Sequence, residues 1–174
     1  MKKKILISTA EIEKRVKELG KQITTDYLDK DNDLIIVGVL KGSFIFLSDL
    51  VRKIKVNNII DFIQLSSYGS GTISSTEVRI VKELKENIKG KDVLIIEDII
   101  DTGLTMAFLS TYLKVREPNS IKVCTLLNKQ ERREIPFSPD YIGFEIANDF
   151  VIGYGLDYNE KYRSLPYISK VEVL

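Results

Sequence analysis

Three carboxylates, Glu97, Asp98 and Asp101, stand around the apolar pair Ile99-Ile100 and run straight into Thr102-Gly103-Leu104-Thr105. The residues before them, Val93-Leu94-Ile95-Ile96, show no polar alternation, as in a parallel strand covered on both faces. Those after them space apolar groups helically at Leu104, Ala107, Phe108, Thr111 and Val115. The acids therefore sit between a strand and a helix, where open α/β sheets bind their ligands. Thr102, Gly103 and Thr105 offer hydroxyls and free N–H groups at a helix N-terminus, which suits a phosphate. Glu97 and Asp98 would repel that phosphate unless sugar hydroxyls or a hard cation lie between. The ligand they fit is a phosphorylated sugar. The plainer alternative is that Asp101 or Thr102 caps the helix and the acids are rim charges.

Two more strand ends carry a lysine. Leu34 to Val39 predicts a buried strand and Ser43 to Ile54 a helix, with Leu40-Lys41-Gly42 between them. Ile121 to Leu127 predicts the next parallel strand, ending at Asn128-Lys129-Gln130. A lone lysine at such a turn is ordinarily a solvated charge, but a shared rim makes Lys41 a candidate diphosphate contact and Lys129 a candidate ligand contact. Ile59 to Leu65 predicts a third strand, and the small, hydroxyl-rich run from Ser66 to Thr76 a mobile loop. Its Gly69-Ser70-Gly71 lacks the third glycine of a dinucleotide fingerprint and no helix follows, which excludes that reading. Glu77 to Leu84 alternates like the return strand of a hairpin. Ile12, Val16, Leu19, Ile23 and Tyr27 stripe a packing helix between Glu11 and Leu28, and Tyr141 to Ile146 predicts a last core strand. Phe150, beside the glycines that follow, reads on its own as a core residue. The tail is polar through Asp157 and Arg163 and strand-like from Ile168 to Val173.

Length and charge bound the rest. A chain of 174 residues suits one α/β domain, 1–174, and its formal net charge of +1 gives no field of the kind nucleic-acid or membrane-surface binders carry. Histidine is absent, which removes imidazole bases, Ser-His-Asp schemes and His-based zinc sites. The single cysteine, Cys124, lies in a strand-like run and is expected to be a buried small hydrophobe in a reducing cytoplasm. The apolar run after Met1-Lys2-Lys3-Lys4 is too short for a secretion signal, and no stretch reaches membrane-spanning length.

The run from Val93 to Thr105 resembles the phosphoribosyl-pyrophosphate motif of the type I phosphoribosyltransferases. The similarity extends in register through Leu40-Lys41-Gly42-Ser43, Ser66-Ser67-Tyr68-Gly69, Lys129, Asp149-Phe150-Val151-Ile152-Gly153-Tyr154, Asp157 and Arg163, and is greatest to the hypoxanthine-guanine phosphoribosyltransferases. The resemblance implies a mainly parallel central sheet with helices on both faces, a small hood and a flexible hairpin loop. It implies purine salvage: transfer of a 5-phosphoribosyl group from phosphoribosyl pyrophosphate to hypoxanthine, and to guanine, giving IMP or GMP and diphosphate. Mg²⁺ is the implied cofactor, held by Glu97, Asp98 and Asp157. Lys41, Gly42 and Arg163 are implied to meet the diphosphate, after a strained or cis peptide before Lys41, with Ser67 and Tyr68 closing from the loop. Glu97 and Asp98 hold the ribose, and Ile100, Thr102, Gly103, Leu104 and Thr105 complete the motif. Asp101 acts on the purine N7, Lys129 donates to the 6-oxo group, Phe150 stacks on the ring, Val151 gives main-chain contacts and Asp157 lies near the base edge. Relatives of this kind imply a homodimer or homotetramer, with no nucleic-acid or membrane partner. A different base preference, or a regulatory protein that keeps the motif as a sensor, are the rival readings.

Overall fold

The computed structural model describes residues 2–30, 33–68 and 77–172, with the side chains of 67, 68, 77 and 172 outside that description. Six strands form the central sheet in the order β4 (Glu77–Lys82), β3 (Asn58–Tyr68), β2 (Leu34–Leu40), β5 (Asp92–Ile100), β6 (Ser120–Asn128), β7 (Tyr141–Glu145). All neighbours are parallel except β3 and β4, which form the expected antiparallel hairpin arm. Ser66, Ser67 and Tyr68 continue β3 against Arg79, Val78 and Glu77, so the strand runs further than its composition suggests. The remaining part of the predicted loop, 69–76, lies outside the described residues.

Alternate residues of the apolar strands serve two cores, which explains why these runs show no polar period. Leu34, Ile36, Leu94, Ile96, Cys124 and Leu126 pack under α1 (Thr9–Tyr27) and α2 (Phe44–Val51). Ile35, Val37, Val93, Ile95 and Val123 pack on the other face against Met106, Leu109 and Leu113 of α3 (Leu104–Lys114). Helices thus cover both faces, and Cys124 is buried as expected. Helix α1 is held at its start by a capping box between Ser8 and Glu11, and it buries the predicted stripe.

A second sheet of three antiparallel strands, β1 (Lys2–Ile7), β9 (Ile168–Glu172) and β8 (Val151–Ile152), forms the small hood. Strand β1 escapes pattern reading because most of it is exposed and its first residues are all lysine. Its order comes from pairing with the tail, a long-range partner that no local pattern announces.

Candidate active site

The site is built where β5 outruns its neighbour. Pairing of β2 with β5 ends at Ile96, whereas β6 pairs with β5 through Ile100, so Glu97 to Ile100 remain strand while their β2 side lies open. Glu97 is only 7% exposed, and Asp98 lies beside it. Burial, then the adjacent Asp98 charge, pushes the Glu97 carboxyl well above the usual range. Burial also raises Asp98, against the lowering effect of the Glu97 side chain, the Ile99 N–H and the Arg163 charge. Two carboxylates held this way favour a partner that brings hydroxyl donors or positive charge.

The loop after β2 closes over Asp98. A Cβ on Gly42 would stand 1.6 Å from Asp98 Oδ2, so only glycine lets the acid lie against this loop. The Leu40–Lys41 peptide is cis, as the resemblance implies. Gly155 adds a second close approach, since its Cβ would stand 2.0 Å from the Gly42 carbonyl oxygen.

Helix α3 starts from Gly103, with φ of 88° and no side-chain cap. Neither Asp101 nor Thr102 caps it, which removes the plainer alternative for the turn; Thr102 Oγ1 is a long 3.4 Å from the Leu104 N–H. Free N–H groups of the first helical turn therefore face a cleft of about 230 Å³ lined by residues 97–103, Thr105 and Met106. The Ile100 side chain is buried in the core while its carbonyl accepts from the Lys129 N–H at 3.0 Å.

A second cavity of about 400 Å³ is lined by Asp98, Ile99, Asp101, Lys129, Arg132, Asn148, Phe150, Val151, Leu156 and Asp157. The two cavities share Asp98, Ile99 and Asp101. One ligand can therefore place a phosphate in the first, a flat group in the second, and a sugar across the ridge between. Lys129 is 7% exposed, which sets aside the solvated-charge reading, and among the described residues no carboxylate pairs with it. Phe150 is 47% exposed and meets Tyr158 edge-on at 5.6 Å, so it is a pocket wall and not the core residue its sequence suggests. Asp101 Oδ1 lies 3.1 Å from Arg132 Nε. A larger cavity of about 590 Å³ opens between α1 and α2, but its Tyr154 hydroxyl and Arg52 are already satisfied by Asp49.

On the β2 side, Arg163 Nη2 lies 3.0 Å from Asp157 Oδ1, and Lys41 Nζ lies 3.0 Å from Glu160 Oε2. Lys41 first, then Arg163, holds the Glu160 carboxyl below its usual range. Among the described residues, no three acidic or thiol side chains gather as a metal cage. Glu97, Asp98 and Asp157 thus form no complete protein site. They fit Mg²⁺ in its usual form, held by a few carboxylates together with substrate oxygens.

Sequence patterns missed several members of this site. Arg133 donates to the Asp101 carbonyl at 3.0 Å and to the Asn128 side chain, whose amide in turn donates to Glu145 at 2.9 Å; this ties the turn after β5 to the ends of β6 and β7. Arg132, Met106, Leu156 and Glu160 likewise carry no local signal. A polar rim residue looks the same in sequence whether it faces a ligand or water.

Fold and site together define an α/β protein with two joined clefts at the carboxyl ends of its parallel strands, shaped for a ligand with an anionic and a flat end. Comparison with known proteins agrees: the phosphoribosyl transferase domain family matches residues 4–159. The chain is 50% identical over 170 residues to the hypoxanthine phosphoribosyltransferase of Escherichia coli (strain K12), covering 98% of this chain and 96% of that one. A solved hypoxanthine-guanine phosphoribosyltransferase from Bacillus anthracis superposes with a TM-score of 0.91 at 44% identity, covering 97% of this chain and 98% of that chain. The hypoxanthine phosphoribosyltransferase of Trypanosoma cruzi gives a TM-score of 0.93 at 45% identity, covering 97% and 91%. The chain belongs to the phosphoribosyltransferase family.

Proposed function

We infer that this protein is a hypoxanthine phosphoribosyltransferase of purine salvage, which forms IMP and diphosphate from hypoxanthine and phosphoribosyl pyrophosphate, and which also takes guanine. The observation that carries this reading is the shared ridge Asp98-Ile99-Asp101, with a phosphate cleft on one side and the buried Lys129 on the other.

The 5-phosphate binds the Thr102–Thr105 turn, where hydroxyls and N–H groups donate to it. Glu97 and Asp98 accept from the ribose hydroxyls and fix the anomeric carbon. The purine enters beside Phe150, its 6-oxo group accepts from Lys129, and Val151 offers main-chain groups at its edge. As the ring nitrogen attacks the anomeric carbon and the C–O bond to diphosphate breaks, positive charge builds on the sugar, as in glycosyl transfer. Asp101 then takes the proton from N7, and Lys41 and Arg163 receive the departing diphosphate. Glu97, Asp98 and Asp157 would hold Mg²⁺, which when bound would supply the remaining neutralisation of the diphosphate.

No helix of the described residues is long and apolar enough to cross a membrane. A cytoplasmic setting is supported by the buried free thiol of Cys124. Exposed Phe44, beside the Lys41 loop, and exposed Ile60 and Val81 provide apolar surface for the proposed homodimer or homotetramer. Steady-state rates with hypoxanthine, guanine, xanthine, adenine and uracil test the function. Turnover of a 6-oxopurine, with adenine poor and uracil inert, is expected; turnover of adenine or uracil alone would overturn it.

A further inference from the structure

The two cations assigned to the diphosphate are already occupied by one carboxylate of the chain itself. Glu160 Oε2 lies 3.0 Å from Lys41 Nζ and 3.3 Å from Arg163 Nη2. It reaches them from the tip of a tight hairpin, in which Tyr158 and Lys161 exchange both backbone hydrogen bonds at 3.1 Å. Both tip residues have positive φ, 51° at Asn159 and 60° at Glu160. Such two-residue turns favour Asn followed by Gly. Asn159 obeys that preference, whereas Glu160 occupies the glycine position, where a side chain strains the backbone. The Glu160 N–H also donates to Asp157 Oδ2 at 2.9 Å, which fixes the tip over the site. Arg163 is held in place by its bond to the Gly155 carbonyl at 2.8 Å, and its Nε is buried with no partner. A residue poorly suited to its backbone thus delivers an anion to the point between the two cations.

We propose that Glu160 is an intramolecular counter-anion for the leaving-group site: it pairs Lys41 with Arg163 when diphosphate is absent, gives way when diphosphate arrives, and competes to return as the product leaves. This rests on the assignment of Lys41 and Arg163 to the diphosphate. A carboxylate competes weakly with a multiply charged anion, so binding is tempered and not blocked. Retaining the product less tightly is useful wherever release, not chemistry, limits turnover.

The test is calorimetric titration of diphosphate into the full chain in Mg²⁺ buffer, alongside the Michaelis constant for phosphoribosyl pyrophosphate. Glu160→Gln and Glu160→Gly should each bind diphosphate about three- to ten-fold more tightly, as expected for the release of Lys41 from its exposed ion pair and of Arg163 from one of two, its 3.0 Å pair with Asp157 remaining. The Michaelis constant should fall in parallel. Glu160→Gly should also melt no lower than the parent, because glycine suits that φ. In a Lys41→Gln background the gain from Glu160→Gln should shrink, since one pair is already gone. If Lys41→Gln and Arg163→Gln weaken diphosphate binding but neither Glu160 variant tightens it, the inference about Glu160 fails alone. If Lys41→Gln and Arg163→Gln bind diphosphate as the parent does, the leaving-group assignment fails with it.

Discussion

In the proposed function, Lys129 is the residue that turns a phosphoribosyl site into a 6-oxopurine site. An ammonium has three donors and no acceptor, so it rewards the carbonyl of hypoxanthine and meets only another donor in the amine of adenine. Its burial at the end of β6 makes the bond a desolvated one. A hydrogen bond to a charged group is worth roughly 1.5–3 kcal/mol, so Lys129→Ala should cut kcat/KM for hypoxanthine about ten- to a hundred-fold or more. The small rate with adenine should change much less; equal losses with both bases would make Lys129 a structural charge. Asp101 is separable from it by kinetics. Asp101→Asn keeps the size and polarity of the side chain and removes its basicity, so turnover should fall roughly 10²–10⁴-fold, with the Michaelis constant for phosphoribosyl pyrophosphate nearly unchanged. A raised Michaelis constant with intact turnover would leave Asp101 as a binding group only.

At the scale of elements, the site depends on strands ending in the right places, and one buried acid far from the chemistry controls part of this. Asp61 on β3 accepts from the Phe62 N–H at 2.7 Å, the Lys85 N–H at 2.7 Å and the Glu86 N–H at 2.9 Å, so it clamps the connection from β4 to β5. Burial alone would raise its carboxyl, but the Glu86, Phe62 and Lys85 N–H groups and the Lys82 charge outweigh burial and hold it below the ordinary 3.8. A depressed value means the folded state favours the ionised form. The stabilisation is therefore full above 3.8 and is lost as the pH falls through the folded value. Asp61→Ala should lose about 1–3 kcal/mol at neutral pH, because backbone donors are left unmet. In denaturant titrations the gap from the parent should narrow in acid; a constant gap would mean that Asp61 acts by packing alone. Nothing in the sequence marks Asp61, which stands in an apolar strand like any tolerated polar residue. The strands and helices were legible because apolar periodicity is local. That Glu97, Asp98, Asp101 and the Thr102–Thr105 turn gather at one cleft was legible because they lie in one continuous run. Strand β1, Arg133 and Glu160 were not, because each gains its meaning only from residues distant in the chain: the tail strand, the phosphate turn and the Lys41 loop.

For the whole molecule, the pair Glu97 and Asp98 is a stability cost that the proposed function accounts for. Glu97 is buried and Asp98 half-buried, and among the described residues neither forms an ion pair. Adjacent carboxylates repel each other, and the buried one also loses hydration, a cost that the hydroxyl donors and cation of the proposed reaction would relieve. Glu97→Gln removes one charge while keeping the shape, and in the presence of a chelator it should stabilise the fold by roughly 0.5–2 kcal/mol, the usual yield when a functional liability is relieved. For a domain of this size each kcal/mol corresponds to about 2–4 °C in melting temperature. The order should then change on ligation. The parent should gain in proportion to ln(1 + [L]/Kd) when Mg²⁺ and phosphoribosyl pyrophosphate are added together, about 2.7 kcal/mol at a hundred-fold excess over Kd. Glu97→Gln should gain far less, because it leaves Asp98 as the only carboxylate for the ribose and only Asp98 and Asp157 for the cation. Melting curves of both proteins, in chelator and in the ligand mixture, measure all four states, and initial rates provide the functional axis. Activity of the parent should vanish in excess chelator and return with Mg²⁺. A Glu97→Gln protein that melts below the parent in chelator would show that the acid pair supports the fold, and the division between stability and catalysis drawn at this strand end would be wrong.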